Sequence, residues 1–156
     1  MQPTVTHSTF VIERNFPAGP ERVFEAFADP EKKRLWLAGR ASLPGGQFKT
    51  DFRVGGFDTV TSVMGDDTPF PGTPLTNHTV YQDIVPNRRI VFAYTMTVGN
   101  RRISASLATV ELLPSGTGTD LIFTDQGAYL EGADGPEIRK AGWDGLLNSL
   151  EKSVAA

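Results

Sequence analysis

The sequence predicts an α+β protein in which one antiparallel sheet packs against a single long helix near the C-terminal end. Apolar and polar residues alternate over most of residues 48–126, whereas residues 136–155 carry an apolar stripe at helical spacing. Two short helical segments lie between the first strand and the alternating region. The length of 156 residues corresponds to about one domain, which is long enough to bury a hydrophobic core.

The first strand and the two short helices follow from the N-terminal residues. Residues 9–16 form a predicted strand, because apolar side chains recur on one of its faces. Pro20 suits the first position of a short helix, which we expect to end near Ala28. Asp29 suits the N-cap of a second short helix, because its side chain can accept hydrogen bonds from free backbone amides. Gly39 ends that helix.

The middle of the chain predicts about five to seven antiparallel strands joined by short turns. The candidate strands are residues 48–54, 57–64, 77–85, 90–98, 103–113 and 120–126. Residues 65–77 contain three prolines, and we expect them to form a long loop. Asp125 would lie at the end of the last strand, on the same face as Leu121 and Phe123.

Residues 136–155 predict one long helix. Asp134 and Glu137 have the spacing of a capping box at its start, and Arg139 is assigned to its polar side. The predicted apolar stripe comprises Ile138, Trp143, Leu146, Leu147, Leu150 and Val154. A helix with one apolar face must cover apolar surface, which only the sheet supplies. A gap between them would form a small-molecule site, although a filled core predicts the same pattern.

Several local sequences occur in an order that matches a known family. They are residues 20–31 (PERVFEAFADPE), residues 53–56 (RVGG), residues 81–92 (YQDIVPNRRIVF), Gly118-Thr119, and Gly142-Trp143 followed by Leu146, Leu147 and Leu150. The chain resembles the helix-grip superfamily, which includes START and Bet v 1-like domains. More narrowly, it resembles the branch related to the C-terminal domain of the activator of Hsp90 ATPase.

The resemblance covers roughly residues 8–155 and implies one domain with a helix-grip fold. In this fold a curved antiparallel sheet of about seven strands surrounds the C-terminal helix, and two short helices close one end. It also implies a hydrophobic cavity between the helix and the sheet. It does not imply a reaction, because the superfamily includes lipid carriers, polyketide cyclases, hormone receptors and co-chaperone domains.

We therefore predict that the protein binds a small hydrophobic ligand in this cavity, and the sequence gives no strong evidence of catalysis. One alternative is an enzyme of the cyclase or dehydratase type that uses a carboxylate or a histidine in the cavity. The other alternative is a chaperone-associated interaction module similar to the Hsp90 ATPase activator. The expected partner is a small hydrophobic molecule, with a chaperone or a second copy of the chain as further candidates.

Most side chains predicted to line the cavity are aromatic or aliphatic: Trp36, Phe52, Phe92, Tyr94, Met96, Phe123, Trp143 and Leu147. Arg14 and Asp125 are polar candidates that could orient the polar end of a ligand. Burial would raise the pKa of Asp125 into a range useful for acid–base chemistry. His78 is a weaker catalytic candidate, because imidazole titrates near neutral pH. The same residue types also occur at ordinary core or surface positions that contact no ligand.

The composition excludes several other classes of protein. Cysteine is absent and histidine occurs twice, so disulfides and thiolate metal sites are excluded, and we expect no metal and no cofactor. The net charge of −3 argues against nucleic-acid binding. No segment has the roughly 18 consecutive apolar residues of a membrane span. Residues 1–8 lack the features of a secretory signal, so we expect a cytoplasmic protein.

Overall fold

The computed structural model describes residues 2–39, 45–66, 71–131 and 134–155. The elements in chain order are β1 (Val5–Phe16), α1 (Pro20–Ala28), α2 (Pro30–Leu37), β2 (Gln47–Thr50), β3 (Phe57–Val63), β4 (Pro74–Val85), β5 (Arg89–Val98), β6 (Arg101–Ser115), β7 (Gly118–Leu130) and α3 (Pro136–Ala155). The predicted α+β class, the two short helices and the long C-terminal helix are confirmed.

The seven strands form one antiparallel sheet in the order β1-β7-β6-β5-β4-β3-β2. Strands β2 to β6 each pair with the next strand in the chain, whereas β1 pairs with β7 over the full length from Val5–Leu130 to Phe16–Thr119. The inner face of this curved sheet packs against α3, and the core lies between them. Among the described residues, no helix is both long enough and apolar enough to cross a membrane.

Several strand boundaries differ from the prediction, among them the start of β1 at Val5 and the end of β2 at Thr50, and two further differences concern β4 and β7. Strand β4 begins at Pro74 rather than at Asn77, and residues 67–70 of the predicted loop lie outside the described residues. Strand β7 continues to Leu130, so Asp125 lies in the middle of the strand and not at its end. The alternation of buried and less buried residues in β7 continues through Gly127. Glycine has no side chain, so the pattern is not visible at this position of the sequence.

The buried face of α3 also differs from the prediction. Arg139 is only 6% exposed, and Ile138 is 65% exposed, so the assignment of these two residues was wrong. Arg139 precedes Trp143 by four positions, which places both side chains on one face of the helix. The remaining buried residues of this face are Leu147, Leu150 and Val154.

Helix α2 is capped as predicted. The Asp29 side chain accepts hydrogen bonds from the backbone amides of Glu31 and Lys32, and Pro30 occupies the first turn. The Trp36 indole on this helix donates to the carbonyl oxygen of Ala26 at 2.8 Å, which holds α2 against α1.

Candidate functional site

A cavity of about 780 Å³ lies between the N-terminal half of α3 and the inner face of the sheet. Its apolar lining comprises Leu37, Met64, Leu75, Met96, Val98, Ile103, Ile138, Trp143 and Leu146, and its polar lining comprises Thr73, Asn77, Tyr94, Arg101, Glu131, Asp134 and Arg139. Ile138 both lines the cavity and is exposed, so the cavity opens to solvent beside the first turn of α3. Its volume is in the range of about 300–1,000 Å³ that is typical of ligand pockets.

The inward face of strand β5 lies in the closed core at one end of the strand and on the cavity wall at the other. Ile90 and Phe92 are buried in the core, whereas Tyr94, Met96 and Val98 line the cavity. Alternation therefore predicts the inward face of β5 correctly, but it does not show where close packing ends. A clean pattern of period two is the same for a core strand and for a cavity wall.

Helix α3 does not pack closely against the part of β5 that lines the cavity. Gly142 lines the cavity, and a Cβ atom built at this position meets no atom within 4 Å. A Cβ at Gly145 also meets nothing within 4 Å, but Gly145 does not line the cavity. Neither glycine is therefore needed for a close approach of the helix to the sheet.

A buried polar cluster forms one wall of the cavity. We call it the Tyr94 cluster, and it comprises Tyr94, Ser104, Asp125, Asp134, Arg139 and Trp143. The Tyr94 hydroxyl donates to Asp125 Oδ2 and accepts from Trp143 Nε1 at 3.1 Å and from Arg139 Nη1 at 3.3 Å. Three hydrogen bonds use the full capacity of a phenol oxygen, so this hydroxyl is held within the protein.

Arg139 connects this cluster to the start of α3. Its Nη2 atom donates to Ser104 Oγ at 2.8 Å and to Asp134 Oδ2 at 2.9 Å. The guanidinium carbon also lies 5.3 Å from the centre of the Tyr129 ring. The ion pair with Asp134 satisfies the charge of Arg139, which explains why a cation can be buried here.

Asp125 lies behind Tyr94 and is 0% exposed. Burial raises the pKa of its carboxyl group above the ordinary value, and the hydrogen bond from Tyr94 opposes this only in part. Burial also raises the pKa of Tyr94, so this phenol remains protonated and acts as the donor. Among the described residues, Oδ1 of Asp125 and Oδ1 of Asp134 have no hydrogen-bond partner.

A second buried polar cluster lies under α2. We call it the Lys33 cluster, and it comprises Lys33, Thr50, Asp58 and Tyr81. Lys33 Nζ is 3.1 Å from Asp58 Oδ2 and donates to the Tyr81 hydroxyl at 2.6 Å, while Tyr81 and Thr50 donate to the same carboxylate. Burial lowers the pKa of Lys33. None of these four residues lines the cavity.

Of the ten predicted ligand-binding residues, the structure places three on the cavity wall: Tyr94, Met96 and Trp143. Trp36, Phe92, Phe123 and Leu147 are buried in the core. Phe52 packs beside Tyr81, with ring centres 4.9 Å apart, in the region of the Lys33 cluster. Asp125 reaches the wall only through its hydrogen bond with Tyr94.

Two polar candidates lie elsewhere. Arg14 donates to Asn148 Oδ1 at 2.6 Å and pairs with Asp144 at 3.0 Å, so it joins β1 to α3 and does not line the cavity. His78 lies on the outer face of the sheet, where it is exposed, hydrogen-bonded to Thr59 at 3.0 Å and stacked on Phe57. A ligand in the cavity is therefore not in contact with His78.

Much of the wall was not predicted from the sequence, including Leu37, Met64, Leu75, Asn77, Val98, Ile103, Ile138, Arg139 and Leu146. The observed cross-strand register places two of them beside Met96. Leu75 pairs with Val98, and Asn77 pairs with Met96, so these β4 side chains share the face of Met96. A signal for Arg139 was its spacing of four residues from Trp143.

A curved antiparallel sheet that surrounds a long C-terminal helix, with a cavity between them, defines a helix-grip protein. The chain belongs to the family described as activator of Hsp90 ATPase homolog 1-like protein, which matches residues 17–155. The resemblance stated from the sequence is therefore confirmed.

Solved structures agree with this assignment. A crystal structure of a Rhizobium loti protein is 45% identical, with a TM-score of 0.86, and the match covers 97% of this chain and 99% of that chain. A Rhizobium leguminosarum protein is 37% identical, with a TM-score of 0.89 and coverage of 97% and 96%. A Chromobacterium violaceum protein is 28% identical, with a TM-score of 0.71 and coverage of 95% and 98%. No curated protein matches the chain.

Proposed function

We propose that the protein binds a small hydrophobic molecule in the cavity between α3 and the sheet. The observation that carries this proposal is the cavity of about 780 Å³, whose wall is mainly apolar and includes Trp143, Met96 and Leu146. Protein interiors are normally close-packed, so an opening of this size needs an explanation. Burial of apolar ligand surface would contribute about 25 cal/mol per Å² before the costs of binding.

The polar part of the wall supports binding better than catalysis. The predicted acid–base candidate Asp125 is separated from the cavity by the Tyr94 side chain. The carboxylates that line the cavity, Glu131 and Asp134, are paired with Arg101 and Arg139. The Tyr94 hydroxyl already makes three hydrogen bonds. The chaperone-associated alternative follows from the family description alone.

A cavity-filling substitution tests the proposal, and α3 offers a matched control. Gly142→Phe places an aromatic ring in the cavity, whereas Gly145→Phe adds the same ring to the same helix away from it. Both changes remove a helical glycine and should have similar effects on helix stability. The probe is N-phenyl-1-naphthylamine, a neutral dye that fluoresces in apolar surroundings.

We expect the wild type and Gly145→Phe to bind the dye with the same Kd, and Gly142→Phe to bind at least about tenfold more weakly. Fluorescence titration measures the three affinities, and circular dichroism checks that each variant is folded. Equal binding by all three proteins, or an equal loss in both variants, would contradict the proposal. Native mass spectrometry of the purified wild type would then identify any small molecule that remains bound.

A further inference from the structure

The charged side chains on the cavity wall are paired with each other. Arg139 pairs with Asp134 at 2.9 Å, and Arg101 pairs with Glu131 at 3.4 Å. These four are the charged residues among the described residues that line the cavity. The Arg139–Asp134 pair is largely buried, so a charged ligand beside it would have to compete with this pair and would lose its own hydration. Arg101 and Glu131 lie at the exposed rim. The wall favours a ligand without charge.

Asn77 is a neutral polar group on the same wall, and its donor is only weakly satisfied. Its Oδ1 atom accepts a hydrogen bond from Thr79 Oγ1 at 3.0 Å, which directs the amide nitrogen away from Thr79. The amide nitrogen donates to Met96 Sδ at 3.3 Å. A thioether sulfur is a weak acceptor, so an oxygen atom would be a better partner for this donor.

The neighbours of Asn77 would permit such an exchange. Met96 faces Asn77 across the β4–β5 pair, and both side chains line the cavity and are partly buried. Methionine is unbranched and flexible, so its sulfur can move aside at low cost. Thr79 is buried and can hold the amide in its orientation while the partner on the other side changes.

We propose that Asn77 donates a hydrogen bond to a neutral oxygen atom of the ligand, such as the oxygen of a ketone, ester or ether. This inference rests on the proposed function, because it requires a ligand in the cavity. It defines the ligand class as an apolar molecule with an uncharged hydrogen-bond acceptor. Carboxylate anions and ammonium cations are disfavoured.

Three probes with the same ring system test this inference: naphthalene, 2-acetylnaphthalene and 2-naphthoate. Equilibrium dialysis at pH 7 gives the Kd of each probe for the wild type, Asn77→Leu, Asn77→Asp and Met96→Leu. We expect the wild type to bind 2-acetylnaphthalene about fivefold more tightly than naphthalene, which is the effect of one neutral hydrogen bond. Binding of 2-naphthoate should be the weakest.

The variants separate the hydrogen bond from the shape of the cavity. Asn77→Leu and the nearly isosteric Asn77→Asp should both lose the preference for the ketone over naphthalene. The preference of each variant is the ratio of its Kd for naphthalene to its Kd for the ketone, and thermal unfolding checks that each variant is folded. Met96→Leu should retain the preference, because it keeps Asn77 and removes only the sulfur.

Two results would overturn this inference while leaving the proposed function intact. One is equal binding of naphthalene and the ketone by the wild type, or a retained preference in both Asn77 variants. The other is tighter binding of 2-naphthoate than of the ketone, which would indicate an anionic ligand. If neither N-phenyl-1-naphthylamine nor any of the three probes binds the wild type, the proposed function fails, and this inference fails with it.

Discussion

The Lys33 cluster and the Tyr94 cluster lie against the same sheet, and each combines a carboxylate, a tyrosine and a cation. In the Lys33 cluster every other member bonds to Asp58, and no member lines the cavity. In the Tyr94 cluster four of the six members line the cavity, and carboxylate oxygens of Asp125 and Asp134 have no partner among the described residues.

This difference separates two uses of buried polar groups. A fully paired cluster away from the cavity stabilises the position of α2 and has little effect on a ligand. A cluster on the cavity wall shapes the binding site, and its incomplete pairing lowers the stability of the fold. Substitutions in the two clusters should therefore affect stability and binding differently.

Asp58→Asn should have the largest effect. It leaves the Lys33 ammonium buried without its carboxylate partner, and loss of one member of a buried ion pair costs about 3–5 kcal/mol. Urea denaturation measures the expected decrease in the free energy of unfolding. The folded variant should keep the wild-type Kd for N-phenyl-1-naphthylamine, because the Lys33 cluster does not line the cavity.

A variant without any polar group in the cluster provides the control for this prediction. Lys33→Met and Asp58→Leu combined with Tyr81→Phe and Thr50→Val replaces both charges and both hydroxyl groups by apolar groups, and it should recover most of the lost stability. An Asp58→Asn variant as stable as the wild type would contradict the stabilising role of the Lys33 cluster. A variant that is folded but no longer binds the dye would show that the two clusters do not have separate roles.

Loss of one hydroxyl group from each cluster should have an intermediate effect. Tyr94→Phe removes a hydrogen-bond partner from Asp125, Arg139 and Trp143, whereas Tyr81→Phe leaves the carboxylate of its cluster paired with a lysine and a threonine. Tyr94→Phe should cost about 1–3 kcal/mol, and Tyr81→Phe should cost less.

The dye affinity is the readout that separates these two tyrosines. Tyr94→Phe should change the Kd for N-phenyl-1-naphthylamine, because Tyr94 lines the cavity, and Tyr81→Phe should not. His78→Ala, on the outer face of the sheet, serves as a control without an expected effect on either property. The comparison would be contradicted if Tyr81→Phe altered the affinity as strongly as Tyr94→Phe.

The smallest expected effect is a dependence of stability on pH. Because burial raises the pKa of Asp125 in the folded state, the folded protein holds this proton more tightly than the unfolded chain. The stabilising contribution is complete below the ordinary pKa of 3.8, and it is lost as pH rises through the raised value. The lowered pKa of Lys33 has the opposite sign, because its stabilising contribution is complete above the ordinary pKa of 10.5 and is lost as pH falls through the lowered value.

Asp125→Asn removes the acidic contribution and keeps the shape of the side chain. The Tm of the wild type should fall relative to that of Asp125→Asn as pH rises from about 4 to 8. Differential scanning calorimetry across this range measures the difference. A difference in Tm that is constant with pH would show that Asp125 does not titrate in this window.

The α+β class and the inward face of β5 follow from regular sequence patterns, and the family resemblance supplied the curved sheet of about seven strands around the C-terminal helix. Asn77 could not be found in this way, because a bulge between Tyr81 and Asp83 shifts the pairing of β4 with β5. If strand positions are counted from the β4–β5 turn without this bulge, Met96 faces His78. A shift of one residue reverses the face of every side chain beyond it.

Lys33 shows a second reason why part of the structure could not be predicted from the sequence. A lysine on a short helix rich in charged residues predicts a solvent-exposed side chain. Its burial depends on Asp58 and Tyr81, which lie on β3 and β4 and carry no local sign of this partnership. Buried ion pairs between distant elements are properties of the folded structure, so a single sequence does not reveal them.

The pairing of β1 with β7 has a consequence for the rate of folding. Strands β2 to β7 can form one hairpin at a time, because each of β2 to β6 pairs with the next strand in the chain. Strand β1 has its partner at the far end of the sequence, with Val5 opposite Leu130. Closing a loop of this length costs chain entropy before any contact compensates for it, which slows folding. During synthesis, β1 must remain without its strand partner until β7 has been made.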